Sequence, residues 1–161
     1  ALDREPTATE VWESIDDVKK YDEVVFCGFG EPTLRLDVIK EVAKKIKDNG
    51  GRVRLNTNGH GNVINKRNIL PELSGLIDEV SVSLNADSSE AYDQICQPLP
   101  KFRNGIYEKI KEFIEEAKKY IPDVQASIVT HQNGVDESNC EEIVNKEFGV
   151  KYRARRYNIV G

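Results

Sequence analysis

The chain has 161 residues, 39% of them hydrophobic, and a formal net charge of −5. That is enough apolar content for one buried core, most simply a single domain over 1–161, while the acidic balance argues against a broad nucleic-acid or membrane-surface footprint. No apolar run approaches the roughly 20 residues that a membrane-spanning helix needs, no signal peptide opens the chain, and Cys27, Cys96 and Cys140 are too irregularly spaced for a disulfide framework, so a reducing cytoplasm is expected. Methionine is absent and Ala1 stands first, which suggests a processed or partial chain.

Strand and helix signals alternate. Thr7-Ala8-Thr9-Glu10 reads as a capping box opening a helix to about Tyr21. A strand over 23–27 is followed by a helix over 35–49 closed by Gly50-Gly51. The second strand covers 52–56, with a loop to Asn62 and a helical stretch near 64–73. The third strand covers 79–84, and Ser88 caps a helix to Gln97. Pro98-Leu99-Pro100 interrupts before a long helix over 104–120. The fourth strand spans 124–129, a helix over 136–148 stops at Gly149, and a fifth strand covers 151–157. This rhythm means parallel strands joined by right-handed crossovers.

The strands are apolar on one face only. With a period of two, Val53 and Leu55 oppose Arg54, Asn56 and Asn58; Val80, Val82 and Leu84 oppose Ser81, Ser83 and Asn85; Val124, Ala126 and Ile128 oppose Gln125 and Ser127. Arg153 and Arg155 share a face of the last strand. Parallel sheets seldom leave a face bare, so the polar face is expected to line a ligand-holding lumen of a curved, barrel-like sheet, the alternative being an open sheet with one solvated face. Two same-face arginines in such a lumen are costly unless paired with anions, the alternative being an edge strand whose arginines reach solvent.

The loop Cys27-Gly28-Phe29-Gly30-Glu31-Pro32 leaves the first strand and enters a helix, the usual ligand position in α/β folds. Its glycines let backbone approach a ligand, but Glu31 is out of place under a phosphate and Pro32 removes an N–H. Carbonyl oxygens beside an acid suit an ammonium group better.

Gly28-Phe29-Gly30-Glu31-Pro32-Thr33, Asn56-Thr57-Asn58-Gly59 and Ser81-Val82-Ser83-Leu84-Asn85-Ala86 fall in order at strand ends. Together they resemble the core of a radical S-adenosylmethionine (radical SAM) enzyme. With Ile95-Cys96-Gln97-Pro98 and Arg153-Ala154-Arg155-Arg156-Tyr157-Asn158 they look most like the TatD-linked radical SAM proteins. The resemblance implies a partial parallel (β/α)6 barrel with five strands present. It also implies a SAM pocket drawn from Gly28, Gly30, Glu31, Pro32, Asn56, Asn58, Ser83, Asn85, Arg153 and Arg155, with the methionine ammonium on backbone of the Gly-Glu-Pro loop. In the intact enzyme a [4Fe–4S] cluster, fed by an external electron donor, would cleave SAM to a 5′-deoxyadenosyl radical that acts on an unknown substrate. The pattern departs from the family in two places: Phe29 replaces a glycine, and the C-x3-C-x2-C that holds the cluster is absent. No metal ligand is therefore assigned, the first strand and cluster loop are expected to be missing, and the fragment alone is expected to be inactive. A nucleotide-binding α/β domain and a degenerate barrel used as a binding scaffold are the competing readings. The first predicts G-x-G-x-x-G, where this chain has Thr33.

The remaining candidates read as structural. Cys27 is expected to be a buried small hydrophobe and Cys140 to sit on a surface helix, with Cys96, Trp12 and Tyr21 packing. His60 and His131 lie beyond strand ends, where a loop histidine is most often solvated.

Overall fold

The computed structural model describes residues 4–28, 30–130 and 132–156. Five parallel strands, β1 (Val24–Phe26), β2 (Val53–Thr57), β3 (Glu79–Ser83), β4 (Asp123–Val129) and β5 (Lys151–Arg155), form one sheet in the order β1-β2-β3-β4-β5. The helices are α1 (Ala8–Glu13), α2 (Leu36–Asp48), α3 (Gly61–Asn65), α4 (Leu70–Leu73), α5 (Ser89–Cys96), α6 (Ile106–Tyr120) and α7 (Glu137–Glu142). Strands added in sequential order by crossovers of one hand put the connecting helices on one side of the sheet. The helix-facing strand residues, Val53, Leu55, Val80, Val82, Leu84, Val124, Ala126 and Ile128, are all buried. The fold is α/β, with five parallel strands in one sheet as the sequence predicts.

Local sequence explains most boundaries. Thr7 caps α1 and Glu10 returns the bond to the Thr7 backbone, a full capping box. That helix ends at Glu13 instead of running to Tyr21, because the Ser14 hydroxyl bonds the Val11 carbonyl and Asp17 caps a separate short turn over Val18–Lys20. Tyr21 is consequently 51% exposed rather than packed, whereas Trp12 packs on the core. The stretch read as one helix over 64–73 is two: Lys66 turns left-handed after α3 (φ 54°), and Pro71 starts the first turn of α4. Helix α2 buries Leu36, Val38, Ile39, Val42, Ala43 and Ile46, a continuous apolar stripe at helical spacing. Its lysines face outward and pair, Lys40 with Glu72 at 2.9 Å and Lys47 with Asp78 at 2.7 Å. Helix α7 continues as a π-turn over Ile143–Phe148 and ends on a left-handed Gly149 (φ 63°). No described helix is long and apolar enough to cross a membrane.

Candidate functional site

The loop after β1 is organised by a single carboxylate. Pro32 opens a tight turn over Pro32–Arg35, and Glu31 is extended before it (φ −97°, ψ 115°), as a residue preceding proline prefers. Glu31 Oε1 accepts from the Thr33 amide (3.1 Å), the Thr33 hydroxyl (2.7 Å) and the Thr57 hydroxyl (2.6 Å), and Oε2 accepts from the Asn58 amide (2.7 Å). The acid therefore ties its own loop to the end of β2, with both of its oxygens occupied. What the loop offers outward is backbone. Gly30 is left-handed (φ +122°), and a Cβ at Gly28 or Gly30 would meet nothing within 4 Å, so these two positions leave open space rather than accommodating a neighbouring part of the protein. Cys27 is exposed, not buried, because β1 ends at Phe26. Phe29 and His131 lie outside the described residues, as do Tyr157 and Asn158.

Each residue of the Thr57–Gly61 turn has a separate task. Thr57, besides serving Glu31, accepts from the Gly59 amide at 3.1 Å, and Asn58 Oδ1 accepts from the His60 amide at 2.9 Å. Gly59 has φ +81°, and a Cβ there would fall 2.9 Å from Ile110 Cγ2. The turn can adopt this path and lie this close to α6 only with glycine. Gly61 is equally pressed, with Ile69 Cδ1 2.7 Å from a would-be Cβ.

The strand register sorts the polar face into rows. At the bottom, the N-terminal end, Arg54, Glu79 and Asp123 lie side by side. Arg52 bridges Glu79 (3.2 Å) and Asp123 (2.9 Å), and Glu23 pairs Arg54 at 3.0 Å. Above it Asn56, Ser81, Gln125 and Lys151 align, with Gln125 donating to the Ser81 hydroxyl at 2.9 Å. The next row is Ser83, Ser127 and Arg153. Arg155, further up β5, leans back across β4 to donate to Ser83 Oγ at 3.2 Å. Burial and the like charge of Arg153 push its guanidinium pKa down. Two carboxamide oxygens on this face, Asn56 Oδ1 and Asn85 Oδ1, are buried with no hydrogen-bond donor. Asn85 itself is left-handed (φ 60°) just past β3.

Helix α5 lies over this end of the sheet, and its Tyr92 is a contact that sequence reasoning did not single out. His60 is half-buried rather than solvated, and its Nε2 lies 3.0 Å from the Tyr92 hydroxyl. Burial lowers its pKa, partly opposed by Glu31. Tyr92 packs on Tyr107 with ring centroids 6.0 Å apart, and Asn85 Nδ2 approaches Cys96 Sγ at 4.0 Å. Burial raises the pKa of the half-buried Cys96 thiol. Cys140 is fully buried, not on the surface, and its thiol is pushed up to about 12, first by burial and then by Asp87. The one sequence signal for Tyr92 is its place on the apolar stripe of α5, which reads as packing. The glycine, asparagine and serine positions read from the motifs do lie at the C-terminal ends of β1–β3, and Arg153 and Arg155 share the polar face.

The donor set at the strand ends fits an amino-acid and nucleoside ligand: backbone at Gly28 and Gly30, acceptor oxygens without donors at Asn56 and Asn85, and a serine beside two arginines. It does not fit an iron–sulfur cluster, since no group of three histidine, cysteine or acidic side chains among the described residues could hold a metal. No curated protein matches the chain. The family model described as the Radical SAM superfamily matches residues 2–146, and on that match, with its glycine loop and polar strand ends in register, the chain belongs to the radical SAM superfamily, whose members are enzymes.

Proposed function

We propose that this chain is the core of a radical SAM enzyme, most similar to the TatD-linked members, and that its strand ends hold SAM by the methionine and ribose. The observation that carries the reading is the pair of buried acceptors without donors, Asn56 Oδ1 and Asn85 Oδ1, on the polar face of the sheet. A buried carbonyl oxygen left without a donor is costly. The methionine ammonium and the ribose hydroxyls are donors that would satisfy such groups. Bound beside a [4Fe–4S] cluster reduced by an external donor, SAM would supply the radical chemistry that removes a hydrogen atom from a substrate.

The chain's own part is positioning. Gly28 and Gly30 leave room for the methionine backbone, and the Gly30 carbonyl would accept from its ammonium, the Glu31 carbonyl already taking the Leu34 amide at 3.2 Å. Pro32 and the Glu31 carboxylate hold that loop rigid. Asn58 is locked by its bond to the His60 amide and keeps the β2 end in register with the loop. Asn85 gives its oxygen to a ribose hydroxyl while its amide nitrogen rests against Cys96. Ser83, Arg153 and Arg155 supply hydroxyl and positive charge on the far side of the same mouth.

The cluster ligands do not come from these residues, and we place them on a strand and loop outside this sequence. Among the described residues β1 pairs only with β2. A groove of about 470 Å³ runs beside it, lined by Ile15, Val24, Phe26, Leu34 and Val38 among others. A further strand would satisfy that edge. The 161 residues alone are then expected to bind no iron and to be inactive. The intact protein needs an external electron donor, and the three free thiols suit a reducing cytoplasm.

In the cluster-loaded protein, Asn85→Leu is expected to weaken SAM binding about tenfold or more, measured by anaerobic calorimetry, in line with the ~1.4 kcal/mol or more attached to a lost buried hydrogen bond. Unchanged affinity removes Asn85 from the site. Iron and sulfide analysis of the intact, anaerobically reconstituted protein tests the wider reading, and absence of iron there ends it.

A further inference from the structure

Arg153 and Arg155 are the cations of the polar face that have no acid to answer them. Among the described residues no carboxylate lies within 4 Å of either, whereas Arg52, Arg54 and Lys151 all pair, the last with Asp123 at 3.6 Å. The acids of that face, Glu79 and Asp123, sit at the opposite end of the strands and are held there. Arg153 lies in one row with Ser127 and Ser83, and Arg155 bends over β4 to bond Ser83. Two guanidinium groups and two hydroxyls are thus gathered across three adjacent strands with no negative charge among them.

We propose that Ser83, Ser127, Arg153 and Arg155 form an anion site for a phosphate group carried by the substrate. The assignment rests on the reading that the β1–β3 ends hold SAM. A lone carboxylate is satisfied by one arginine fork. A phosphate, with three peripheral oxygens and up to two charges, accepts from two forks and a hydroxyl at once. The methionine carboxylate is the rival occupant, but it shares a carbon with the ammonium placed at the Gly30–Glu31 loop. Strand β5 is the far edge of the sheet from β1, with ~4.8 Å per strand step. An anion on Arg153 therefore belongs to another molecule. Burial, and after it the like charge of Arg153, depress the Arg155 pKa, and a dianion beside the pair favours the charged form that both disfavour.

The test is a ¹H–¹⁵N NMR titration of the chain at low salt, first with inorganic phosphate and then with L-methionine. Phosphate is expected to shift the amides of Ser83, Ser127, Arg153 and Arg155 saturably, and L-methionine at equal concentration to leave them in place. Arg153→Gln and Arg155→Gln should each weaken phosphate binding tenfold or more, and Arg155→Lys should retain part of it. Circular dichroism of each variant verifies the fold. Phosphate shifts scattered over surface lysines and indifferent to both glutamine variants would overturn the proposal. So would L-methionine moving the same amides with equal affinity, which gives the arginines to the cofactor. Failure of the SAM reading shows separately, in the iron content of the intact protein.

Discussion

Glu31 shows how an acid in a glycine loop can serve the loop itself. Its carboxylate takes four hydrogen bonds, from Thr33, Thr57 and Asn58, and Thr33 is fully buried. Glu31→Ala would leave those donors unanswered, and a loss of about 2–4 kcal/mol is expected in urea denaturation. The sequence made the position conspicuous but not its direction, because an acid between glycines reads as facing a ligand and its partner Thr57 is remote in the chain. His60 was misread for the same reason. Its contact with Tyr92 crosses from a β2 loop to a helix after β3, which no local pattern announces. Its pKa is lowered by burial, so the folded protein binds fewer protons than the unfolded chain below the ordinary histidine value of about 6.5. The stability from neutral His60 is complete above that pH and lost as the pH falls toward the folded pKa. Comparing urea midpoints at pH 7.5 and 5.5, the wild type should lose more than His60→Gln.

Helices and strands were legible where one period dominated. The α2 and α6 stripes and the alternation along β2 and β3 place the core without ambiguity, because burying an apolar face is what stabilises each element. Phe113, on α6 and fully buried, illustrates the scale: Phe113→Ala is expected to cost about 3–5 kcal/mol, read from chemical denaturation. The breaks in α1 and between α3 and α4 were not legible. They depend on the Ser14 hydroxyl reaching back to Val11 and on Asn62 Oδ1 accepting from the Ile69 amide at 2.9 Å, side-chain bonds that compete with the helix and leave the apolar pattern unchanged. The π-turn ending α7 gives no periodic signal either.

At the scale of the molecule, the sheet order and the single polar face followed from the alternation of strand and helix signals with half-polar strands. The charged floor did not, because Glu23, Arg52, Glu79 and Asp123 come from four separate segments. Arg52 links three of the acids at that floor, with Glu23 at 3.8 Å, but is itself partly exposed. Arg52→Ala is expected to cost about 1 kcal/mol or less, with the difference from wild type shrinking further in 1 M sodium chloride as screening lengths fall to about 3 Å. A larger, salt-independent loss measured by urea denaturation would mean that the floor holds the sheet rather than merely closing it.

The unbroken order β1-β2-β3-β4-β5 also bears on how the chain is made. Each strand hydrogen-bonds the one synthesised just before it, so no strand waits on the ribosome for a neighbour yet to be translated. Pairing can proceed by accretion, one βα unit at a time, with modest loops to close at every step. At every stage the growing sheet has one newly exposed rim, and the next unit covers it. The architecture that puts the polar groups of one face in adjoining rows is thus also one that can be assembled in the direction of translation.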